Sequence, residues 1–353
     1  MRTLTIEHGG PDEGPPIRSD FSTNAHPLGP NPFVLAQIRR ADRTRYPDPG
    51  YRAVRQLLAE HHEVALERVV VGGSASELIW RLVLAWRLAG GERMSAARTS
   101  FGEYRRAGHT LGLTVLDETR AGALKFCCVP DNPTGRWPVA APAEGTLNPS
   151  LSPQVLDLAY HPFHALLSED PASVLKPLPR GGSSSTAVPP DEVIQLWSPN
   201  KLHAVTGVRA AYLVLPRADA THPALSAEAL TALAPSWVLS AEGVALLSAH
   251  TRRTARNFLI ESAARLRSQK ERCERLLEDA GWEREPSPLH YGLYRPPVAL
   301  ERQDLWHAAL RAQGVKLRNA ESFARPGWVR LAARPAAEVT RLIALTHAFR
   351  RSG

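Results

Sequence analysis

Lysine is the scarcest of the charged side chains in this sequence. The chain has 353 residues, and of its 43 basic side chains only five are lysines, at positions 125, 176, 201, 270 and 316. We assign no function to the excess of arginine itself. Because lysines are so few, one that lies in an unusual setting can be singled out, and Lys201 is such a residue.

Cysteine is also rare, and long apolar runs are missing. Cys127, Cys128 and Cys273 are the three cysteines, and their spacing excludes a disulfide framework and a zinc-ligand pattern. We therefore expect no metal. The most apolar helical stretch, residues 78–89, is interrupted by two arginines, and no apolar region of a signal peptide opens the chain. We expect no membrane partner and a cytoplasmic location.

The net charge of +8 permits nucleic-acid binding. The arginines are spread along the chain, however, and no long basic run alternates with aromatic residues. Nucleic-acid binding would predict an affinity that depends strongly on salt. A small anionic ligand fits the pattern better, and we expect no nucleic-acid partner.

Residues 193–214 form the most informative stretch, VIQLWSPNKLHAVTGVRAAYLV. Two apolar β runs enclose a polar turn that carries Lys201, flanked by Ser198 and Arg209. Burial and nearby cations can turn a lysine into an amine nucleophile for Schiff-base chemistry. A hydroxyl and a guanidinium group would suit the phosphate of a phosphorylated aldehyde. The alternative is a solvated loop lysine beside a structural arginine.

Three other positions suggest a ligand crevice. A Gly-Gly turn feeds a helix that begins near Ser74, with Glu77 in a capping-box position, and the free N–H groups there could bind phosphate. Asn132 lies in the rigid turn DNPTG after a buried strand, and Asp157 ends another apolar strand. Ligands of open α/β sheets bind at such carboxyl ends. A buried aspartate needs a cation, which a protonated pyridine nitrogen would supply.

Five further side chains each allow two interpretations. Tyr46 is either core filling or a phenol that reaches a phosphate, and Tyr104 either packs or stacks on a planar ring. Asn24 either forms a turn or orients a substrate. Arg318 and Arg330 flank a Pro-Gly turn and could together bind a carboxylate or phosphate, or each could be an ordinary surface arginine.

Eight motifs stand in an order that is familiar: NAHPLGPNP, RYPDPG, GGSASE, SFGEY, DNPTG, DLAY, SPNK with Arg209, and VRLAARP. Over nearly its full length the chain resembles the class I/II aminotransferase superfamily of pyridoxal-phosphate enzymes, fold type I. Within it, the chain looks like the branch of histidinol-phosphate aminotransferase and threonine-phosphate decarboxylase.

The resemblance implies an α/β fold: a large domain whose mostly parallel seven-stranded sheet lies between helices, and a small C-terminal α+β domain. We expect an N-terminal arm over residues 1–35, the cofactor-binding domain over 36–240, and the small domain over 241–353 with the arm packed on it. It also implies a homodimer.

The same resemblance implies the roles of individual residues. Lys201 would form the Schiff base with pyridoxal 5'-phosphate and move protons, Asp157 would hold the ring nitrogen protonated, and Tyr104 would stack on the ring. The other cofactor contacts implied are Ser74, Ala75, Asn132, Tyr160, Ser198, Arg209 and, from the partner subunit, Tyr46. The substrate contacts implied are Asn24, Arg318 and Arg330. The chain departs from the pattern at Asn200, where a Ser or Thr usually precedes the lysine.

The cofactor residues serve two reactions equally. We favour an aminotransferase of the histidinol-phosphate type, in amino-acid biosynthesis, that moves an amino group between a phosphorylated amine or amino acid and a 2-oxo acid. The alternative is an L-threonine-O-3-phosphate decarboxylase of cobalamin biosynthesis, which the opening DFSTNAHPLGP and the PSWVLS segment resemble more. A non-catalytic relative that only binds the cofactor is a third class, against which the pairing of lysine with aspartate argues.

Overall fold

The computed structural model describes residues 9–118, 120–137, 151–178 and 189–352. Their helices are α1 Pro32–Arg39, α2 Arg52–His62, α3 Ala75–Leu88, α4 Gly102–Thr110, α5 His161–Leu167, α6 Ala227–Ala232, α7 Ala241–His250, α8 Arg253–Asp279, α9 Gln303–Ala312 and α10 Ala336–Arg351. Their strands are β1 Ser19–Asp20, β2 Val69–Gly72, β3 Arg93–Ser95, β4 Thr114–Leu116, β5 Leu124–Cys128, β6 Gln154–Asp157, β7 Ile194–Trp197, β8 Ala211–Val214, β9 Glu283–Arg284, β10 Tyr291–Arg295, β11 Val315–Lys316, β12 Arg318–Asn319 and β13 Val329–Ala332.

A seven-stranded sheet forms the centre of the protein, in the order β2-β8-β7-β6-β5-β3-β4. Strands β7, β6, β5, β3 and β4 run parallel to one another, whereas β8 is antiparallel to both β2 and β7. Every residue of β7 and β8 is buried, as expected for strands covered on both faces. The predicted α/β fold with a mostly parallel sheet is confirmed.

Two apolar layers cover the faces of this sheet. Tyr212 and Leu213 are neighbours on β8, yet they belong to different core clusters because successive side chains of a strand point to opposite faces. Tyr212 packs in the cluster of Val34 and Leu247, from α1 and α7. Leu213 packs in the cluster of Leu78, from α3. The parallel strands therefore end at one edge, between two helical layers, where the polar residues that follow β5, β6 and β7 come together.

A second, antiparallel sheet with the order β12-β13-β10-β9 lies nearer the C-terminus. The arm reaches this part of the molecule, since β1 pairs in parallel with β11 and the carboxylate of Asp12 contacts Arg311 and Lys316. Residues 1–8 of the predicted arm lie outside the described residues. The domain boundaries stay a prediction. In the part of the chain that is described, no helix combines the length and apolar character needed to cross a membrane.

Candidate active site

Asp157 is the last residue of β6 and is buried. Its Oδ2 accepts a hydrogen bond of 2.6 Å from the hydroxyl of Tyr104, and its Oδ1 accepts one of 3.1 Å from the N–H of Ala159. Burial raises the pKa of Asp157, while the bond from Tyr104 and the charge of Lys201 act in the opposite direction. A buried carboxylate of this kind is stabilised by a nearby cation.

Lys201 lies in the turn after β7 and is half-buried. Its Nζ is 5.5 Å from the centroid of the Tyr160 ring, and its charge acts on both Asp157 and Cys128. The backbone carbonyl of Lys201 accepts a hydrogen bond of 2.9 Å from the N–H of His26, which fixes the turn against the N-terminal segment. The structure thus brings together the amine and the carboxylate that the sequence singled out.

Tyr104 projects from the first turn of α4 and is fully buried. Its ring stacks on Phe126, with centroids 5.0 Å apart and an interplanar angle of 18°. Burial, followed by the charge of Asp157, raises the pKa of the Tyr104 phenol well above its usual value. The phenol therefore stays protonated and donates a hydrogen bond to the carboxylate. Its stacking on a cofactor ring stays a prediction.

The predicted phosphate-binding site lies at the capped N-terminus of helix α3. Ser74 is the N-cap of α3, and its Oγ accepts a hydrogen bond of 3.0 Å from the N–H of Glu77. The Glu77 carboxylate accepts from the N–H of Gly73 at 3.1 Å. A Cβ on Gly73 would lie 2.9 Å from the carbonyl oxygen of Val238, so glycine lets the chain pass there. The first N–H groups of α3, from Ala75 onward, have no acceptor within the helix and suit an anion.

Ser198 and Asn200 face each other beside Lys201. Both are buried, and the Ser198 hydroxyl donates to Oδ1 of Asn200 at 3.1 Å. The departure at position 200 thus replaces a hydroxyl by an amide that bonds its neighbour. Arg209 is exposed and lines a cavity of about 810 Å³ together with Gly73 and Tyr46.

Tyr46 lies at the surface beside that cavity. Its side chain is 76% exposed and stacks on Trp237, with centroids 4.3 Å apart and an angle of 26°. Trp237 is itself 45% exposed. Two large aromatic rings that share a solvent-facing stack are unusual on a free surface. Sequence reasoning did not single out Trp237.

Arg330 is a buried guanidinium group on β13. Nη1 donates to Oδ1 of Asn132 at 2.7 Å, and Nη2 donates to the backbone carbonyl of Ser22 at 2.6 Å. Nε has no hydrogen-bond partner among the described residues. These two acceptors are neutral, so the charge of Arg330 is available to an anion.

Arg318 lies directly opposite Arg330 in the β12–β13 pairing. Its guanidinium donates to the carbonyl of Asn319 at 3.0 Å and to Oγ of Ser322 at 2.8 Å. The ring of Phe323 lies 4.8 Å from the guanidinium carbon of Arg318 and 5.9 Å from that of Arg330. The two predicted arginines are therefore neighbours, with one aromatic ring near both.

Asn24 and Tyr160 also meet, across 136 residues of chain. Nδ2 of Asn24 donates to the Tyr160 hydroxyl at 3.4 Å, and Oδ1 of Asn24 is buried and has no partner among the described residues. Tyr160 contacts Tyr291 edge to face at 4.9 Å. An unpartnered buried acceptor beside a hydroxyl indicates a place for a polar ligand.

These side chains fit the cofactor that the resemblance implies. Asp157 suits a protonated ring nitrogen, the start of α3 suits a phosphate, and Lys201 offers an amine whose charge acts on Asp157. Sequence reasoning missed Ser22, Phe126, Tyr291 and Phe323. Ser22 contributes a backbone carbonyl, which no side-chain pattern could indicate, and the three aromatic residues read as ordinary core.

Comparisons with known proteins agree with this geometry. The sequence profile described as "Aminotransferase class I and II" matches residues 126–345, more than half of the chain. A histidinol-phosphate aminotransferase from Nitratidesulfovibrio vulgaris (strain DP4) is 29% identical over an alignment of 359 positions, gaps included, that covers 92% of this chain and 86% of that protein.

Two solved structures show the same fold. Histidinol-phosphate aminotransferase from Sinorhizobium meliloti, in complex with pyridoxal-5'-phosphate, has a TM-score of 0.73 at 22% identity, over 96% of this chain and 92% of that one. L-threonine-O-3-phosphate decarboxylase from Porphyromonas gingivalis has a TM-score of 0.68 at 18% identity, over 94% of this chain and 99% of that one.

Proposed function

Because this chain belongs to the aminotransferase class I and II family, we propose that it is an aminotransferase of the histidinol-phosphate type. It moves an amino group between a phosphorylated amine or amino acid and a 2-oxo acid. The N. vulgaris relative supports this type, since the likeness extends over 92% of the chain.

When bound, pyridoxal 5'-phosphate supplies an aldehyde for the amine and a protonated ring that withdraws electrons from the substrate's α-carbon. Asp157 keeps the proton on the ring nitrogen, and its bond from Tyr104 favours the ionised carboxylate that this task needs. Lys201 Nζ would hold the cofactor through its aldehyde group and would take and return the proton at the substrate's α-carbon. Asn132 and Tyr160 orient the ring's 3-oxygen.

Phosphate binding falls to the donors around the start of α3. Ser74 and the N–H of Ala75 lie at that helix terminus, and Ser198 and Arg209 come from the segment after β7. Together they bring the positive end of a helix, two hydroxyls and a guanidinium group to one anion. In this structure the Ser198 hydroxyl gives its single proton to the Asn200 amide oxygen, so it turns from that oxygen to the phosphate when the cofactor binds.

The observation that carries the proposal is the bond between Arg330 and Asn132. It couples a buried guanidinium group, held by two neutral acceptors, to Asn132, which we propose as a contact of the ring. An anionic substrate bound by Arg330 is thereby placed against the cofactor. The charge suits a carboxylate, and Arg318, its neighbour in the sheet, suits a second anionic group. Asn24, which contacts Tyr160, is the proposed polar contact of the substrate.

The second candidate is an L-threonine-O-3-phosphate decarboxylase. The opening residues 20–30 favour it, and both reactions need the same lysine, aspartate and arginine. They differ in which bond at the α-carbon stands perpendicular to the ring. The carboxylate contact sets that angle.

The subunit arrangement that we propose is a homodimer in which Tyr46 reaches the phosphate of the partner's cofactor. The exposed stack of Tyr46 on Trp237, beside the cavity of Arg209, supports an interface there. Size-exclusion chromatography with light-scattering detection should give a molar mass twice that of the chain. A monomer at micromolar concentration would contradict this arrangement.

One pair of incubations decides between the reactions. Purified protein with pyridoxal phosphate is given histidinol phosphate plus 2-oxoglutarate and, separately, threonine phosphate alone. We expect glutamate in the first incubation and no carbon dioxide in the second. Carbon dioxide release from threonine phosphate, without glutamate formation in the first, would establish the second candidate instead.

A further inference from the structure

The backbone carbonyl that holds Arg330 belongs to a short turn between β1 and α1. Ser22 accepts the 2.6 Å hydrogen bond from Nη2 of Arg330, and two residues later Asn24 contacts Tyr160. The turn therefore presents two groups to the candidate active site. Both depend on the path of the backbone through residues 20–24.

Asp20 organises this turn through four hydrogen bonds. Its Oδ1 accepts from the N–H of Ser22 at 2.8 Å, from the hydroxyl of Ser22 at 2.6 Å and from the N–H of Thr23 at 3.2 Å. Its Oδ2 accepts from the hydroxyl of Thr23 at 2.7 Å. One carboxylate thus uses both oxygens to fix two consecutive residues, which is a common role of Asp in turns.

The rest of the surroundings leave this turn little freedom on either side. Phe21, between Asp20 and Ser22, donates to the carbonyl of Lys316 and accepts from the N–H of Ala332, both at 2.9 Å. The N–H of Gly10 donates to Oγ of Ser22 at 2.9 Å. A Cβ on Gly9 would lie 2.3 Å from the Ser22 carbonyl oxygen, so the arm passes directly over the group that Arg330 contacts.

We propose that Asp20 is a positioning residue for Arg330: it holds the Ser22 carbonyl at the place that fixes the plane of the guanidinium group. This inference rests on the proposed function, in which Arg330 binds the substrate carboxylate. Loss of the Asp20 carboxylate releases one of the two acceptors that orient Arg330. The main consequence falls on binding of the anion through Arg330, because the turn that carries Lys201 is held by its own backbone hydrogen bonds.

The test is a double-mutant cycle on anion binding. The ligand is glutarate, a dicarboxylate without an amine, and its Kd is measured by calorimetry on protein loaded with pyridoxal phosphate. Asp20→Ala should weaken glutarate binding about tenfold. In an Arg330→Ala background the same substitution should have no further effect, because the residue through which Asp20 acts is gone.

Steady-state kinetics give a second readout. Asp20→Ala should raise KM for the carboxylate-bearing substrate about tenfold and change kcat less than about threefold. Asp20→Asn keeps one carbonyl oxygen for the backbone N–H groups and should recover part of the affinity. It also serves if the alanine variant does not fold.

Ser226→Ala is the matched control for general destabilisation. Ser226 caps α6 by accepting a hydrogen bond from the N–H of Ala229 at 3.2 Å. Its replacement by alanine therefore lowers the stability of the protein by the contribution of one helix cap and removes no contact of Arg330. This variant should keep the wild-type Kd and KM.

Three outcomes would overturn the inference: an unchanged Kd in both Asp20 variants, an equal effect of Asp20→Ala in the presence and absence of Arg330, or no glutarate binding by the wild-type protein. Failure of the proposed function looks different. In that case the wild-type protein forms no glutamate, while the coupling between Asp20 and Arg330 in glutarate binding persists.

Discussion

Nη1 of Arg330 donates to Oδ1 of Asn132 at 2.7 Å, although 198 residues separate the two in the chain. Arg330 belongs to the antiparallel sheet near the C-terminus, and Asn132 follows a strand of the central sheet. Their bond joins the proposed substrate contact to the proposed ring contact. A displacement of either sheet relative to the other would break it.

The first prediction concerns Arg330. Arg330→Ala should raise KM for amino acids on the order of a hundredfold, because a charge-assisted contact to the substrate is lost. Arg330→Lys should restore only part of it, since one ammonium group cannot reach both acceptors in the same geometry. Arg325→Ala, a half-exposed arginine on the preceding turn that pairs with Glu285, is the control and should leave KM unchanged. If only the phosphate-bearing end of the substrate were affected, the two arginines would have the opposite roles.

The second prediction concerns the amine. Protein purified with pyridoxal phosphate should show the visible absorbance of the lysine-bound cofactor, and Lys201→Ala should abolish both this absorbance and turnover. Lys176→Ala removes an exposed lysine paired with Asp170 and should preserve both. An unchanged spectrum in Lys201→Ala would end the assignment of Lys201.

Residues at strand ends were the part of the site that the sequence could predict. Asp157 ends one apolar strand and Asn132 follows another, and parallel strands bring such residues to one edge of a sheet. The position of Ser74 at a helix N-terminus could be predicted from the residues next to it, because an N-cap is a local sequence pattern. The mostly parallel sheet followed from the resemblance, and the structure confirms it.

The contacts that join distant segments could not be read in this way. Tyr104 was expected to stack on a ring, but that its hydroxyl donates to Asp157 depends on how α4 packs against β6. The contact of Arg330 with Ser22 uses a backbone carbonyl, which every residue has. Long-range packing decides such bonds, and a single sequence carries no local sign of them.

The third prediction concerns the hydroxyl of Tyr104. Tyr104→Phe removes the hydrogen bond that favours ionised Asp157, so the pKa of that carboxyl should rise. Cofactor binding needs the ionised carboxylate. As the pH is lowered, the affinity of Tyr104→Phe for pyridoxal phosphate should therefore begin to fall at a higher pH than that of the wild-type protein. Titrations with pyridoxal phosphate across the acid and neutral range measure this. The control is Tyr294→Phe, which changes another buried tyrosine, on β10. Coincident titration curves for Tyr104→Phe and the wild-type protein would contradict the proposed role of the Tyr104 hydroxyl.

The fourth prediction concerns buried histidines and stability. Burial lowers the pKa of His203 to about 3 and that of His290 to about 3. His203 contacts His250 at 3.0 Å and Asn31 at 3.3 Å. Nε2 of His290 donates to the backbone carbonyl of Asn24 at 3.2 Å. Both rings are therefore neutral in the folded protein over the physiological range.

The unfolded chain binds protons on these histidines below about pH 6.5, whereas the folded chain does not until near pH 3. Their contribution to stability is therefore complete above pH 6.5 and is lost as the pH falls. Each histidine should lower the free energy of unfolding by about 1.4 kcal/mol between pH 7.5 and pH 5.5. Urea unfolding at the two pH values checks this, and His203→Gln should reduce the difference by about one histidine's share. A variant with the same pH dependence as the wild-type protein would show that His203 is protonated in the folded state.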